Sequence, residues 1–119
     1  MIVVTRHHVA LEQQEAFLSD ARAAVALLAE KPGCVSVAIG RSVDEPDLIL
    51  ITSQWADVGS YRHALGAFDV KVGAVPLLST AIHEASAFEV LHRNGPDGAI
   101  DFNSDFGGGE WALGRPAST

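Results

Sequence analysis

A single cysteine, Cys34, leaves the chain no internal disulfide, and a small secreted scaffold usually carries several paired cysteines. No apolar stretch approaches the roughly 18 residues that span a bilayer. Met1-Ile2-Val3-Val4-Thr5 enters a strand pattern at once, without the charged n-region of a signal peptide. A soluble cytoplasmic protein with no membrane partner is expected. Positive charge is scarce as well: 8 Lys and Arg stand against 15 Asp and Glu, for a net charge of −7. No basic patch gathers phosphates, so no nucleic acid is expected as partner. None of the 5 histidines has H-E-x-x-H spacing and there is no Cys-x-x-Cys, so no metal is expected. Gly107-Gly108-Gly109 lies outside any strand-to-helix unit, so no phosphate-cradling loop calls for a nucleotide cofactor.

What is present is ordinary globular material. Hydrophobic residues make up 48% and charged residues 19%, too apolar for disorder, and 119 residues suit one domain. A core of that size is modest, and a second subunit covering one sheet face would enlarge it.

Ile2-Val3-Val4-Thr5 is β-branched and reads as a first strand running to about Val9. From about Leu11 the period becomes helical, with Phe17, Ala21, Ala24 and Leu28 at spacings of four, three and four. Pro32-Gly33 ends that helix. Val35-Ser36-Val37-Ala38-Ile39 and Leu48-Ile49-Leu50-Ile51-Thr52 then flank Asp44-Glu45-Pro46-Asp47, a turn-rich hairpin loop. The second run is apolar on both sides, as in a strand buried on both faces. Asp57 caps a short helix carrying Val58, Tyr61 and Leu65. Asp69 opens another, which Pro76 bends, begins or ends. Residues 81–91 read as a closing strand. The order β-α-β-β-α-β is the split βαβ arrangement of a ferredoxin-like α+β fold with an antiparallel sheet. Helices cover one face of such a sheet, and the doubly apolar strand asks for a cover on the other. A second copy, sheet against sheet, is the simplest one, so a homodimer is expected.

Residues 93–119 differ in kind. Arg93-Asn94-Gly95-Pro96-Asp97-Gly98 and the triple glycine are loop or linker chemistry, while Phe102, Phe106 and Trp111 are large apolar anchors. A mobile tail and a tail draped over a partner subunit or a pocket mouth are the two readings.

Pro32-Gly33-Cys34-Val35, the strand ending in Gln54-Trp55, the helix with Tyr61 and Ala87-Phe88-Glu89-Val90-Leu91 together resemble antibiotic biosynthesis monooxygenase domains over residues 1–92. The resemblance implies a dimeric α/β barrel. It also implies an enzyme that oxidises anthrones or quinols with oxygen and no cofactor, or one that cleaves haem. Trp55 stands where the family places its tryptophan, and Tyr61 matches the tyrosine of the anthrone-oxidising members. Their asparagine, arginine and helix histidine fall on Ile51, Val75 and Ala64, with His63 one position early. The haem-binding histidine falls near Gly73, against haem cleavage.

Cofactor-free oxygenation needs a dry pocket, a group that favours the substrate anion, and donors for the oxygen that gathers charge. Tyr61 is a candidate to hold a substrate oxygen or to be a core tyrosine, and Trp55 a candidate pocket wall or packing landmark. His63 lies about 200° around the helix from Tyr61, which favours exposure over catalysis. His7 and His8 point to opposite sheet faces. One can enter the helix-side pocket and the other the interface, each with a structural alternative. Arg6 shares a face with His8 and is a candidate partner for an anionic substrate. His83, alternating with Glu84, is a further candidate base if it points inward. Cys34 is expected as a buried, inert thiol. The leading expectation is a cofactor-independent monooxygenase acting on a small aromatic or polycyclic phenol, quinol or anthrone with O2. The alternatives are a non-catalytic sensor or carrier of a small ligand and a cofactor-free isomerase.

Overall fold

The computed structural model describes residues 1–102. Phe106, the triple glycine and Trp111 lie outside the described residues. Strand β1 (Ile2–His8) leads through a 3-10 turn (Leu11–Gln13) into α1 (Gln14–Ala29). Strands β2 (Cys34–Arg41) and β3 (Leu48–Trp55) follow, then three short helices, α2 (Val58–Gly66), α3 (Phe68–Gly73) and α4 (Val75–Leu78), and β4 (Ala87–Phe88). β5 (His92–Gly95) and β6 (Gly98–Asp101) form a separate two-stranded sheet. The main sheet has the order β2-β3-β1-β4 and is antiparallel throughout. β3 is thus inserted between β1 and β2, the split βαβ arrangement that the element order predicts. Among the described residues no helix is long and apolar enough to cross a membrane.

Local chemistry sets the boundaries. Asp57 caps α2, its Oδ1 accepting from Ser60 N–H at 2.7 Å. Extended Ala67 breaks α2 from α3, and Pro76 sits in the first turn of α4, where its missing N–H costs nothing. No side chain caps α1. The buried Gln14 amide instead donates to Val9 O at 3.2 Å and Pro46 O at 2.6 Å, tying the helix start to the hairpin loop.

One expectation is corrected. The closing strand over 81–91 pairs as a strand only at Ala87–Phe88, although Ile82 N–H reaches Arg6 O and Val4 N–H reaches Ser86 O. Residues 83–85 are exposed, so nothing apolar holds them flat on β1. Of the loop and linker readings for the run from Arg93, the structure has a loop: it turns the β5–β6 hairpin, with Gly98 at φ +107° where an L side chain would be strained.

The sheet has one buried face. Val3, Thr5 and His7 of β1 and Ile49, Ile51, Ser53 and Trp55 of β3 alternate toward the helices. Ala21 and Ala24 are fully buried, and their small side chains let α1 lie close to the strands. On the other face Ile2, Val4, Leu48 and Leu50 are only half-buried in the single chain. The doubly apolar strand is therefore buried on one side by its own chain, and the second side is the face on which a partner copy is proposed.

Gly33 shows how narrowly the turn before β2 is specified. It holds φ +87°, and a Cβ there would collide with Cβ and Oγ of Ser60. Gly33→Ala is expected to destabilise the fold by about 1–3 kcal/mol. Gly40→Ala, with open space at that position, should stay within about 0.5 kcal/mol. Paired urea titrations check both, and equal midpoints would contradict the turn geometry.

Candidate functional site

Trp55 ends β3 on its helix-facing side and is 2% exposed. Its indole N–H donates to Ser53 Oγ at 2.8 Å, so this polar edge is satisfied inside the protein. α2 brings Tyr61 against it, with ring centroids 5.6 Å apart and planes tilted by 54°. Burial pushes the Tyr61 phenol up, which keeps it a neutral O–H donor at neutral pH. Among the described residues its hydroxyl makes no hydrogen bond. Two clefts, of about 480 and 420 Å³, flank this corner and share Met1 and Glu89 in their walls. Trp55, Val35 and Arg93 line the first, and Val58, Arg62 and Phe88 the second. Tyr61 itself lines neither. Arg93 lies over the Phe102 ring at 5.3 Å, and Arg62 makes no ion pair among the described residues.

The register answers which histidine points inward. His7 pairs with Ile49 and is 1% exposed, whereas His8 lies on the surface 3.6 Å from the Asp47 carboxylate. His7 Nδ1 lies 2.9 Å from Thr80 Oγ1, and its Nε2 lies 3.0 Å from Thr5 Oγ1. The Thr80 hydroxyl also donates to Leu77 O at 2.7 Å. With that proton committed, Nδ1–H is the donor to Thr80; the Thr5 proton has two acceptors in reach, Nε2 at 3.0 Å and Ile51 O at 3.5 Å, and a neutral ring takes the shorter. Burial lowers the His7 pKa, which favours this neutral imidazole with both ring nitrogens engaged. The Phe17 ring packs against it at 5.3 Å.

The remaining candidates are spread over the surface. The Arg6 guanidinium makes a two-pronged pair with Glu84 through Nε and Nη2, both bonds at 2.7 Å, so a carboxylate already opposes its charge. The pair raises the Arg6 pKa and lowers that of Glu84. His63 and His83 are exposed, so an inward-pointing His83 is not found. Cys34 is half-buried at the start of β2, and burial raises its thiol pKa. The structure unites Trp55 and Tyr61. It places His7 five residues along β1 from that end, roughly 17 Å at about 3.4 Å per residue. Sequence reading missed Thr80, Phe17, Arg62 and Arg93. Thr80 and Phe17 come beside His7 only by tertiary packing, and no local motif marks them.

A third cleft, of about 800 Å³, lies between the start of α1 and the α3–α4 region. Phe17, Pro76 and Leu77 supply its apolar wall, and His8, Glu12, Gln13, Asp20 and Thr80 its polar groups.

A four-stranded antiparallel sheet of this order, helices on one face, defines a ferredoxin-like α+β protein. Residues 1–72 match the model of the antibiotic biosynthesis monooxygenase family, and the chain belongs to that family. Solved structures agree on the fold. A conserved protein from Methanosarcina mazei Go1 superposes with a TM-score of 0.60 at 20% identity, covering 72% of this chain and 84% of that one. A mutant of SnoaB, a cofactor-independent oxygenase from Streptomyces nogalater, gives 0.58 at 25% identity, covering 68% and 82%. A putative antibiotic biosynthesis monooxygenase from Nitrosomonas europaea gives 0.57 at 12% identity, covering 87% and 97%. No curated protein matches.

Proposed function

We propose that the protein is a cofactor-independent monooxygenase that oxidises a small aromatic phenol, quinol or anthrone with O2 at the Trp55–Tyr61 corner. The observation that carries this reading is the half-buried Tyr61 hydroxyl, packed on Trp55 and without a partner among the described residues. Such a hydroxyl can donate to a substrate oxygen as negative charge gathers there, and its apolar surroundings strengthen the bond. Arg62 and Arg93 give each flanking cleft one cation to meet a substrate oxygen, alongside the Glu89 carboxylate common to both walls. For an anthrone-type methylene, the substrate loses a proton to solvent and its enolate passes one electron to O2. The radical pair couples to a hydroperoxide, which loses water. The balance is CH2 + O2 → C=O + H2O, with one oxygen atom in the new carbonyl and the other in water. Similarity to SnoaB, itself a cofactor-independent oxygenase, supports the reaction class.

Oxygen uptake with a panel of anthrones and quinols tests this. Tyr61→Phe is expected to lower kcat/KM about 10–100-fold, the range for one charge-assisted hydrogen bond, with thermal stability unchanged because no protein bond is lost. No turnover across the panel, or a Tyr61→Phe enzyme equal to wild type, would refute it. A non-catalytic carrier is the second reading. His63 and His83 are exposed and both His7 ring nitrogens are engaged, which leaves no histidine base beside Tyr61. Recovery of an unchanged bound ligand would favour that reading.

A further inference from the structure

The 800 Å³ cleft shares no wall residue with the two clefts at the Trp55–Tyr61 corner and lies toward the opposite end of β1. Its size falls within the range of about 300–1,000 Å³ for small-molecule sites. The gap exists because Ala16 and Ala23 of α1 and Gly73 of α3 send no long side chain into it. Glu12 in the 3-10 turn and Ala16 and Asp20 of α1 all line the cleft, so both carboxylates border it with a small residue between them in sequence. Neither carboxylate forms a hydrogen bond or ion pair with a described residue, and the one basic side chain in the wall is His8, which lies beside Asp47.

Thr80 adds a directional constraint. Its hydroxyl proton is committed to Leu77 O, and one lone pair accepts from His7 Nδ1–H. The hydroxyl can therefore offer a ligand only its second lone pair, as an acceptor. His8, 3.6 Å from the Asp47 carboxylate, and the Gln13 amide also line the cleft. Against them, two carboxylates and an acceptor-only hydroxyl tip the balance toward a donor of positive charge, and Phe17, Pro76 and Leu77 call for an apolar body.

We propose that this cleft binds a small aromatic amine in its protonated form, the ring against Phe17, Pro76 and Leu77 and the ammonium group on Thr80 Oγ1 in the field of Glu12 and Asp20. The site is independent of oxygenation at Tyr61, and either can fail without the other.

Three probes of similar shape test it by calorimetry at low salt and pH 7.5: 2-naphthylmethylamine, 2-naphthalenemethanol and 2-naphthoate. The ammonium probe is expected to bind at least tenfold more tightly than the carboxylate, with the alcohol between, and added salt should shrink the difference. The double variant Glu12→Gln/Asp20→Asn should abolish the preference, and Ala16→Trp, which fills the groove, should abolish binding of all three. These positions are exposed, so thermal unfolding should be unchanged. Glu30→Gln/Asp97→Asn removes the same charge elsewhere and should keep the preference. Equal binding of the three probes, no binding of any at millimolar concentration, or ammonium binding that survives Ala16→Trp overturns the proposal. An equal loss of preference in the Glu30/Asp97 control also overturns it, by assigning the effect to overall charge.

Discussion

Trp55→Ala is expected to lower the unfolding free energy by about 3–5 kcal/mol, the usual cost of truncating a buried tryptophan. Trp55 is 2% exposed and belongs to the cluster with Val3, Leu28, Ala64 and Val70. Alanine would leave a void between β3 and α2 and remove the ring on which Tyr61 packs. Ser53, 4% exposed, would also lose its donor, at a further cost of about 1 kcal/mol. A domain of this size is stable by only about 5–15 kcal/mol, so the variant should show a much lower urea midpoint or fail to fold. Trp55→Phe keeps most of the ring volume but not the N–H, and should cost about 1–2 kcal/mol. A loss below about 1 kcal/mol in the alanine variant would mean that Trp55 is not the core anchor described.

Stability should also fall as the pH drops from 7 toward 5, because of His7. The unfolded chain takes up a proton at this residue near pH 6.5, whereas burial holds it off in the folded chain. The His7 contribution is therefore complete above the unfolded pKa and is lost progressively below it, down to the folded pKa. The slope cannot exceed about 1.4 kcal/mol per pH unit for one proton. His92 opposes it. Its bond to Asp101 raises its pKa, so its contribution is present below 6.5 and is lost as the pH rises through the folded value. That pair is exposed and screened. Asp57, Asp69 and Glu84 have lowered pKa values. Their contributions hold above their unfolded values near 4 and are lost only below this window. His7→Leu isolates the effect. Thr80 keeps its bond to Leu77 O, and the Thr5 hydroxyl can turn to Ile51 O, 3.5 Å away. Urea midpoints at pH 5, 6 and 7 should converge in the variant and spread in the wild type. Parallel pH profiles would show that His7 does not titrate between the two states.

The positions of the first strand, the long helix, the acidic hairpin loop and the capped second helix were all legible in the sequence, because each depends on neighbours a few residues apart. Alternation and β-branching mark the strands, Pro32-Gly33 stops α1, and Asp57 accepts the Ser60 N–H at the start of α2. Trp55 and Tyr61 stood out by family resemblance, and their contact agrees with their six-residue spacing across the turn into α2. The closing strand misled. Residues 81–91 have strand-like composition, but pairing needs continuous contact with β1, and the exposed stretch at 83–85 has no apolar face to hold it there.

By itself the sequence determined the element order, the antiparallel α+β class and two candidate aromatic residues, since these follow from local periodicity and short-range sterics. Only the tertiary structure decided that His7 faces inward and His8 outward. The choice rests on a one-residue register with β3, and a shift of one would exchange the two faces. Packing between distant segments likewise decided that Thr80 satisfies His7, that Glu84 occupies Arg6, and that small residues on α1 and α3 leave a cleft between helices. Those contacts join residues dozens of positions apart, and no local preference encodes them.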